Sequence, residues 1–351
     1  MGSRWPLPGL PIEAFSALGE ALSSVEAVNQ LPALAARQHE LMRSLPACGL
    51  SGQLACQWIS QLNDRLTRRI IDLLAGSFRL PPTEWCWLAM GSEGRDEQTL
   101  VTDQDNGLVF AAAGAIEAQA LRERFLPFAQ SVNEHLAVCG FSLCPGKIMA
   151  GNPAWCLSVD EWREQFFSWV RCPEPLALLN ATIFFDLRPL AGIADLGLAL
   201  RREILRLTVD APAFLHLMSV NALQVSPPLG FLGDVAVDDE KSVDLKKLGS
   251  RIFVDVARIL ALAAGTPAVN TFIRLQEAGP KAGMQLREIA AAQAALSHLL
   301  RLRLNRQVAS NALHSPNCRP DDLHDLDRAI LKESLHQARR LQQRLKLNYS
   351  L

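Results

Sequence analysis

The chain has 351 residues, 49% apolar and 20% charged, with a formal net charge of −1 at neutral pH. That length allows two or three domains with a substantial core. The near-neutral charge gives no general reason to bind nucleic acid or an anionic membrane, and no apolar run is long enough to span a bilayer. The opening stretch MGSRWPLPGLPIEAF lacks the continuous apolar core of a signal peptide, so a cytoplasmic location is expected. Eight cysteines are scattered without a CxxC pair, and seven histidines show no metal-ligand spacing. Free, mostly buried thiols are therefore expected rather than a disulfide framework or a zinc site.

Residues 11–80 carry leucine and alanine at helical spacing, with Trp58, Leu62, Leu66 and Ile70 on one stripe. Gly76 reads as a stop and Pro81–Pro82 as a break. The texture then changes. EWCWLAM and NGLVFAA have the length and composition of strands, and FSLCPG reads as a short one. Residues 115–140 read as a helix interrupted near Pro127, and NATIFFDLRPL reads as a β-branched, aromatic strand ended by proline. From about residue 195 helical periodicity returns, punctuated by Pro227–Pro228, Pro267, Pro280, Pro316 and Pro320. The loop GFLGDVAVDDEKSVD is the most acidic local segment and is expected to be exposed. The expected organisation is an α+β protein: an N-terminal helical region over 1–80, a domain with a small mixed sheet over 81–192, and an all-helical bundle over 193–351.

The segment MGSEGRDEQTLVTDQDNGLVF, residues 90–110, concentrates the chemistry. Residues i and i+2 of an extended chain point to one side, so Asp103 and Asp105 project together. Two like charges so placed call for a cation, and Mg²⁺ takes one or two carboxylates with phosphate and water completing its shell. Upstream, Gly91 permits close backbone approach and Ser92 suits the start of a short helix whose N–H groups face an anion. The same residues also have plainer readings: TDQDNG is good turn chemistry, and Gly91–Ser92 serves equally as a simple helix cap. Asp186 stands alone in an apolar segment, where a charge is costly unless coordinated or paired with an arginine such as Arg188.

A Gly-Ser turn, a short helix and then Asp-x-Asp resembles the nucleotidyltransferase superfamily related to DNA polymerase β, and DLRP resembles a strand of the glutamine synthetase adenylyltransferases. GSEGRDEQTLVTDQDNGLVF, CPGKIMAGNPAW, FFDLRPL, DLKKLGSRIFVDVARILAL and LDRAILKESLHQARRLQQRL together resemble the signal-transduction nucleotidyltransferases, which are grouped with the PII-protein uridylyltransferases. The resemblance runs from about residue 50 to the end and implies a polymerase-β-like domain. Many such proteins carry cyclic-nucleotide-binding or CBS domains ahead of this module; residues 1–50 are too few for either, so sensing by those domains is not expected.

The resemblance implies transfer of a nucleoside monophosphate from an NTP to an acceptor hydroxyl with Mg²⁺ or Mn²⁺. Asp103, Asp105 and Asp186 would be the catalytic and metal-binding residues, and Gly91 and Ser92 would hold the β- and γ-phosphates. Arg95 would reach a phosphate or pair internally with Glu97. Lys147 and Asn152 would line the nucleotide or acceptor pocket or shape their loop, and Lys246, Lys247 and Arg251 would reach the cleft or form a solvated helix face. The expected partner is a protein substrate, PII-like or a metabolic enzyme, with neither membrane nor nucleic acid. A small-molecule acceptor and a catalytically silent, nucleotide-binding scaffold are the competing expectations. No HD-type hydrolase motif is present, so a bifunctional enzyme with that second domain is not expected.

Overall fold

The computed structural model describes residues 11–230, 233–309 and 317–351. Pro316, expected as a breaker, and residues 1–10 of the opening stretch lie outside them. The chain begins with α1 (Ile12–Ser24), α2 (Leu31–Ser44) and α3 (Gly52–Ser77). Ser51 starts α3 by accepting the Leu54 N–H, and the stripe Leu62, Leu66 and Ile70 is buried. Trp58 of the same stripe is only half-buried and packs edge-on against Phe15. Gly76 does not end the helix; it sits within its last turn. A side chain on Gly52 would meet the Ser297 carbonyl at 2.0 Å, so the start of α3 abuts the C-terminal half of the chain directly.

Next come β1 (Trp85–Ala89), the single turn α4 (Gly91–Gly94), β2 (Asn106–Phe110), α5 (Ala115–Val138), β3 (Cys156–Ser158), α6 (Val159–Arg171), α7 (Pro175–Phe184) and β4 (Arg188–Gly192). The sheet order is β3-β2-β1-β4, with β1 antiparallel to both neighbours and β2 parallel to β3. Its central strands are buried on both faces, so Cys86–Ala89 and Leu108–Phe110 read as continuous apolar runs rather than alternating ones. Helix α5 packs Phe125 and Phe128 on Phe110 and Trp85.

Two local expectations fail here. Pro127 lies inside an uninterrupted α5. NATIF is the end of helix α7, not a strand, because Pro175 opens a helix whose Ala177, Leu178, Ala181 and Phe184 bury one face; the strand starts only at Arg188. Tertiary packing there overrides the β propensity of the sequence. FSLCPG contributes one isolated bridge, Ser142 to Asp103, rather than a strand.

The C-terminal part comprises α8 (Ala194–Val209), α9 (Pro212–Ala222), β5 (Val243–Asp244), α10 (Arg251–Ala263), α11 (Thr271–Ala278), α12 (Leu286–Ala309), β6 (Asn317–Cys318) and α13 (Asp325–Tyr349). It is helical apart from the small β5–β6 pair. A wide π turn at Lys246–Ser250 precedes α10. Asp244 anchors that turn by accepting the Lys246 and Lys247 N–H groups at 2.9 and 2.8 Å. Within the acidic loop, Asp239 and Glu240 are exposed, as expected. Buried apolar residues form one connected cluster from Phe15 to Leu345, so the sheet and the helical part share a core.

Candidate active site

Strand β1 delivers the chain to Met90, and Gly91 turns it at φ 55, a left-handed conformation that favours glycine. Space makes the same demand. A Cβ on Gly91 would lie 2.5 Å from Asp105 Oδ2, so this carboxylate rests over the Gly91 backbone. Gly94 is packed harder still, since a Cβ there would lie 2.0 Å from the Asp186 carbonyl.

The acidic segment is held by alternate residues. Gln104 and Asn106 point inward: Gln104 Nε2 donates to the Asn133 and Phe141 carbonyls, and Asn106 Oδ1 accepts from Asn133 and from the Ala150 N–H. Asp103 and Asp105, between and beside them, are left on the opposite side, where both line a cleft of about 330 Å³. Met90 N–H donates to the Asp105 carbonyl at 2.9 Å, which ties the Gly-Ser turn to the acidic pair. Burial pushes the Asp105 carboxyl up to about 6, against a hydrogen bond from the Cys144 thiol, with the charge of Asp103 adding to the rise.

The opposite wall of the cleft comes from the helical part. Lys246, Lys247 and Ser250 of the π turn, Arg251, Asp255 and Arg258 of α10, and Arg303 of α12 all face it. Lys246, Lys247 and Arg251, for which a solvated face was the competing expectation, thus line the same cleft as Asp103 and Asp105. Among the described residues no carboxylate pairs with Lys246 or Lys247.

Asp186 is elsewhere. It is fully buried and accepts from Arg258 Nε and Nη2 at 2.9 and 2.6 Å, from Arg274 Nη1 at 2.6 Å and from Arg95 Nη1 at 2.6 Å. Burial alone would raise its pKa, but Arg258, Arg274 and Arg95 hold it well below the usual carboxylate range. Both oxygens are occupied and the residue does not line the cleft. The structure therefore gives the expected third metal ligand a different place: the centre of an arginine cluster joining the sheet to α10 and α11. Its partner is not Arg188, whose guanidinium grips Asp64 at 2.9 and 3.0 Å and Asp96 at 3.0 Å.

Arg95 lines the cleft but is committed to Asp186 and, at 2.9 Å, to Glu97. Lys147 and Asn152 do not line it. The Lys147 carbonyl accepts from Asn152 Nδ2 and Trp155 Nε1, and Asn152 Oδ1 accepts the Ala154 N–H, so they shape the loop. Sequence reading named Glu97 as a partner of Arg95, as observed, but missed Arg258, Arg274 and Arg303. The signal for Arg258 was visible as Asp255 and Arg258 spaced i, i+3 in an otherwise apolar helix, because charges so buried need partners.

A small mixed sheet thus presents a Gly-Ser turn and an acidic pair to a cleft that the helical part also lines, in an α+β protein. A family model described as "Putative nucleotidyltransferase DUF294" matches residues 36–176, and one described as "Putative nucleotidyltransferase substrate binding domain" matches residues 212–349. The chain belongs to this nucleotidyltransferase family. Asp103 and Asp105 fall in the first match and the basic wall in the second, while Asp186 lies between the two. No curated protein matches the chain.

Proposed function

We propose that the cleft moves a nucleoside monophosphate from an NTP to a hydroxyl of a protein acceptor, a PII-like regulator or a metabolic enzyme. The observation that carries this reading is the convergence of Gly91, Ser92, Asp103 and Asp105 on one cleft whose far wall is basic. Asp103 and Asp105 offer paired hard oxygen donors of the kind that suits Mg²⁺ or Mn²⁺ alongside phosphate oxygens. Such an ion, when bound, neutralises phosphate charge and favours in-line displacement. Gly91 and Ser92 position the phosphates against that pair. The acceptor oxygen bonds to the α-phosphorus, the bond to the bridging oxygen of the β-phosphate breaks, and pyrophosphate leaves with the hydroxyl proton released. A cleft of about 330 Å³ is near the lower end of small-molecule pockets, so a bound nucleotide leaves little room for an enclosed acceptor. That favours a macromolecule approaching from the mouth over a small-molecule acceptor.

One observation favours a second reading, a nucleotide-binding scaffold without turnover. Among the described residues every other carboxylate lining the cleft already has a partner. Glu97 is held by Arg95 and the Thr271 N–H, Asp255 by Arg258 and Arg251, and Asp244 by the π turn. Incubation of the full chain with α-labelled NTPs, Mg²⁺ or Mn²⁺ and fractionated lysate proteins separates the two. Label on a protein band, with pyrophosphate released and both lost in Asp103→Asn/Asp105→Asn, supports transfer. NTP binding by calorimetry with no release from any fraction supports the scaffold.

A further inference from the structure

The charges lining the cleft are not equally available. Arg95 and Arg258 are spent on Asp186, Glu97 and Asp255, and Arg251 bonds Asp255 at 3.2 Å. Among the described residues three cations of the cleft remain without a carboxylate in direct contact. Lys246 and Lys247 sit on the π turn, and Arg303 comes from α12. Arg303 is the most informative of them. Its Nη1 donates to Ser250 Oγ at 3.2 Å, fixing the guanidinium to the same turn, while its Nε is buried with no partner. A buried guanidinium donor left open is costly unless an anion completes it. Burial lowers the Arg303 pKa, with the charge of Arg95 adding to the fall and Asp244 and Glu97 opposing it. The fork geometry of arginine matches phosphate oxygens, and lysines supply point charges beside it. A π turn that widens the helix entrance is a common way to present side chains at a functional site.

We infer that Lys246, Lys247 and Arg303 form the subsite for the β- and γ-phosphates of the NTP, so that the helical domain recognises the triphosphate while Asp103 and Asp105 face the α-phosphate. This rests on the nucleotidyl-transfer reading of the cleft but commits it further. The second domain reads the leaving group, and discrimination between NTP and NMP resides in residues far in sequence from the Gly-Ser turn.

The test is calorimetry on the full chain with Mg²⁺, using inorganic tripolyphosphate, the four NTPs and the matching NMPs. Wild type is expected to bind tripolyphosphate and to prefer an NTP over its NMP. Arg303→Gln and Lys246→Ala/Lys247→Ala are each expected to weaken NTP binding by about ten- to a hundredfold, with NMP affinity held within about twofold. Arg303→Lys is expected to keep much of the preference, and thermal midpoints check that each variant is folded. Equal losses for NTP and NMP, or no loss at all, overturn the inference. Protein labelling in the transfer assay with undiminished NTP affinity in the variants leaves the transfer reading standing and this inference refuted. Loss of NTP preference in the variants, with no transfer by wild type, does the reverse. Failure of wild type to bind any triphosphate refutes both.

Discussion

Asp105 and Asp186 are both aspartates flanking strands of one sheet, yet they live in opposite environments. Asp105 faces a cleft, shares it with Asp103, and is raised to about 6 mainly by burial. Asp186 is sealed from solvent and depressed by three arginines that overcome its burial. The number of cations already in place decides the role. A carboxylate whose lone pairs are filled by guanidinium groups is a structural pin, whereas a pair of carboxylates that no cation contacts directly keeps its oxygens open to a ligand.

The comparison breaks most visibly at Asp186. Asp186→Ala leaves Arg274 buried without its counter-ion and Arg258 with Asp255 alone, and stability should fall by ~3–5 kcal/mol in thermal or urea unfolding. Because the Asp186 pKa is depressed in the folded state, its contribution is present above its unfolded value near about 4 and is lost as pH falls further. The gap between wild type and Asp186→Asn should therefore be flat from about pH 5 to 8 and narrow only below about pH 4.

At the open pair the prediction reverses. Asp103→Asn/Asp105→Asn should lower nucleotidyl transfer by at least about a hundredfold, or ~3 kcal/mol, while the thermal midpoint holds or rises. Gly94→Ala, which would press a methyl into the Asp186 carbonyl, should cost ~1–3 kcal/mol in unfolding experiments.

The smallest effect concerns Glu93, a third carboxylate that sharpens the contrast. Burial and the charge of Asp64 raise it to about 8, and Arg188 donates to its backbone carbonyl rather than its carboxylate. A raised acid costs stability as pH climbs from its unfolded value, near about 4.3, through its folded one. Glu93→Gln should match wild type near about pH 4 and exceed it by ~1–3 kcal/mol at about pH 9, read from midpoints across a pH series.

The open pair was legible in the sequence because its logic is local: Gly91, Ser92, Asp103 and Asp105 lie within one turn and one strand entry. The helical periodicity of α3, α5 and α10 was legible for the same reason. Asp186 was not, because its partners Arg258 and Arg274 stand 72 and 88 residues away and nothing nearby says whether a metal or an arginine meets the charge. The helix at 180–184 was hidden by β-branched and aromatic residues that suit a strand, and only the packing of α7 decides it. Lys147 and Asn152 looked like pocket residues because Gly and Pro surround them. The Lys147 carbonyl and the Asn152 side chain are instead consumed in holding their own loop.

The most direct measurement is pyrophosphate release by folded wild type and folded Asp103→Asn/Asp105→Asn, with each NTP, Mg²⁺ and fractionated acceptor proteins. Release by wild type that disappears in the variant is the expected result. Release that persists undiminished in the variant would contradict the assignment of the open acidic pair as the catalytic centre.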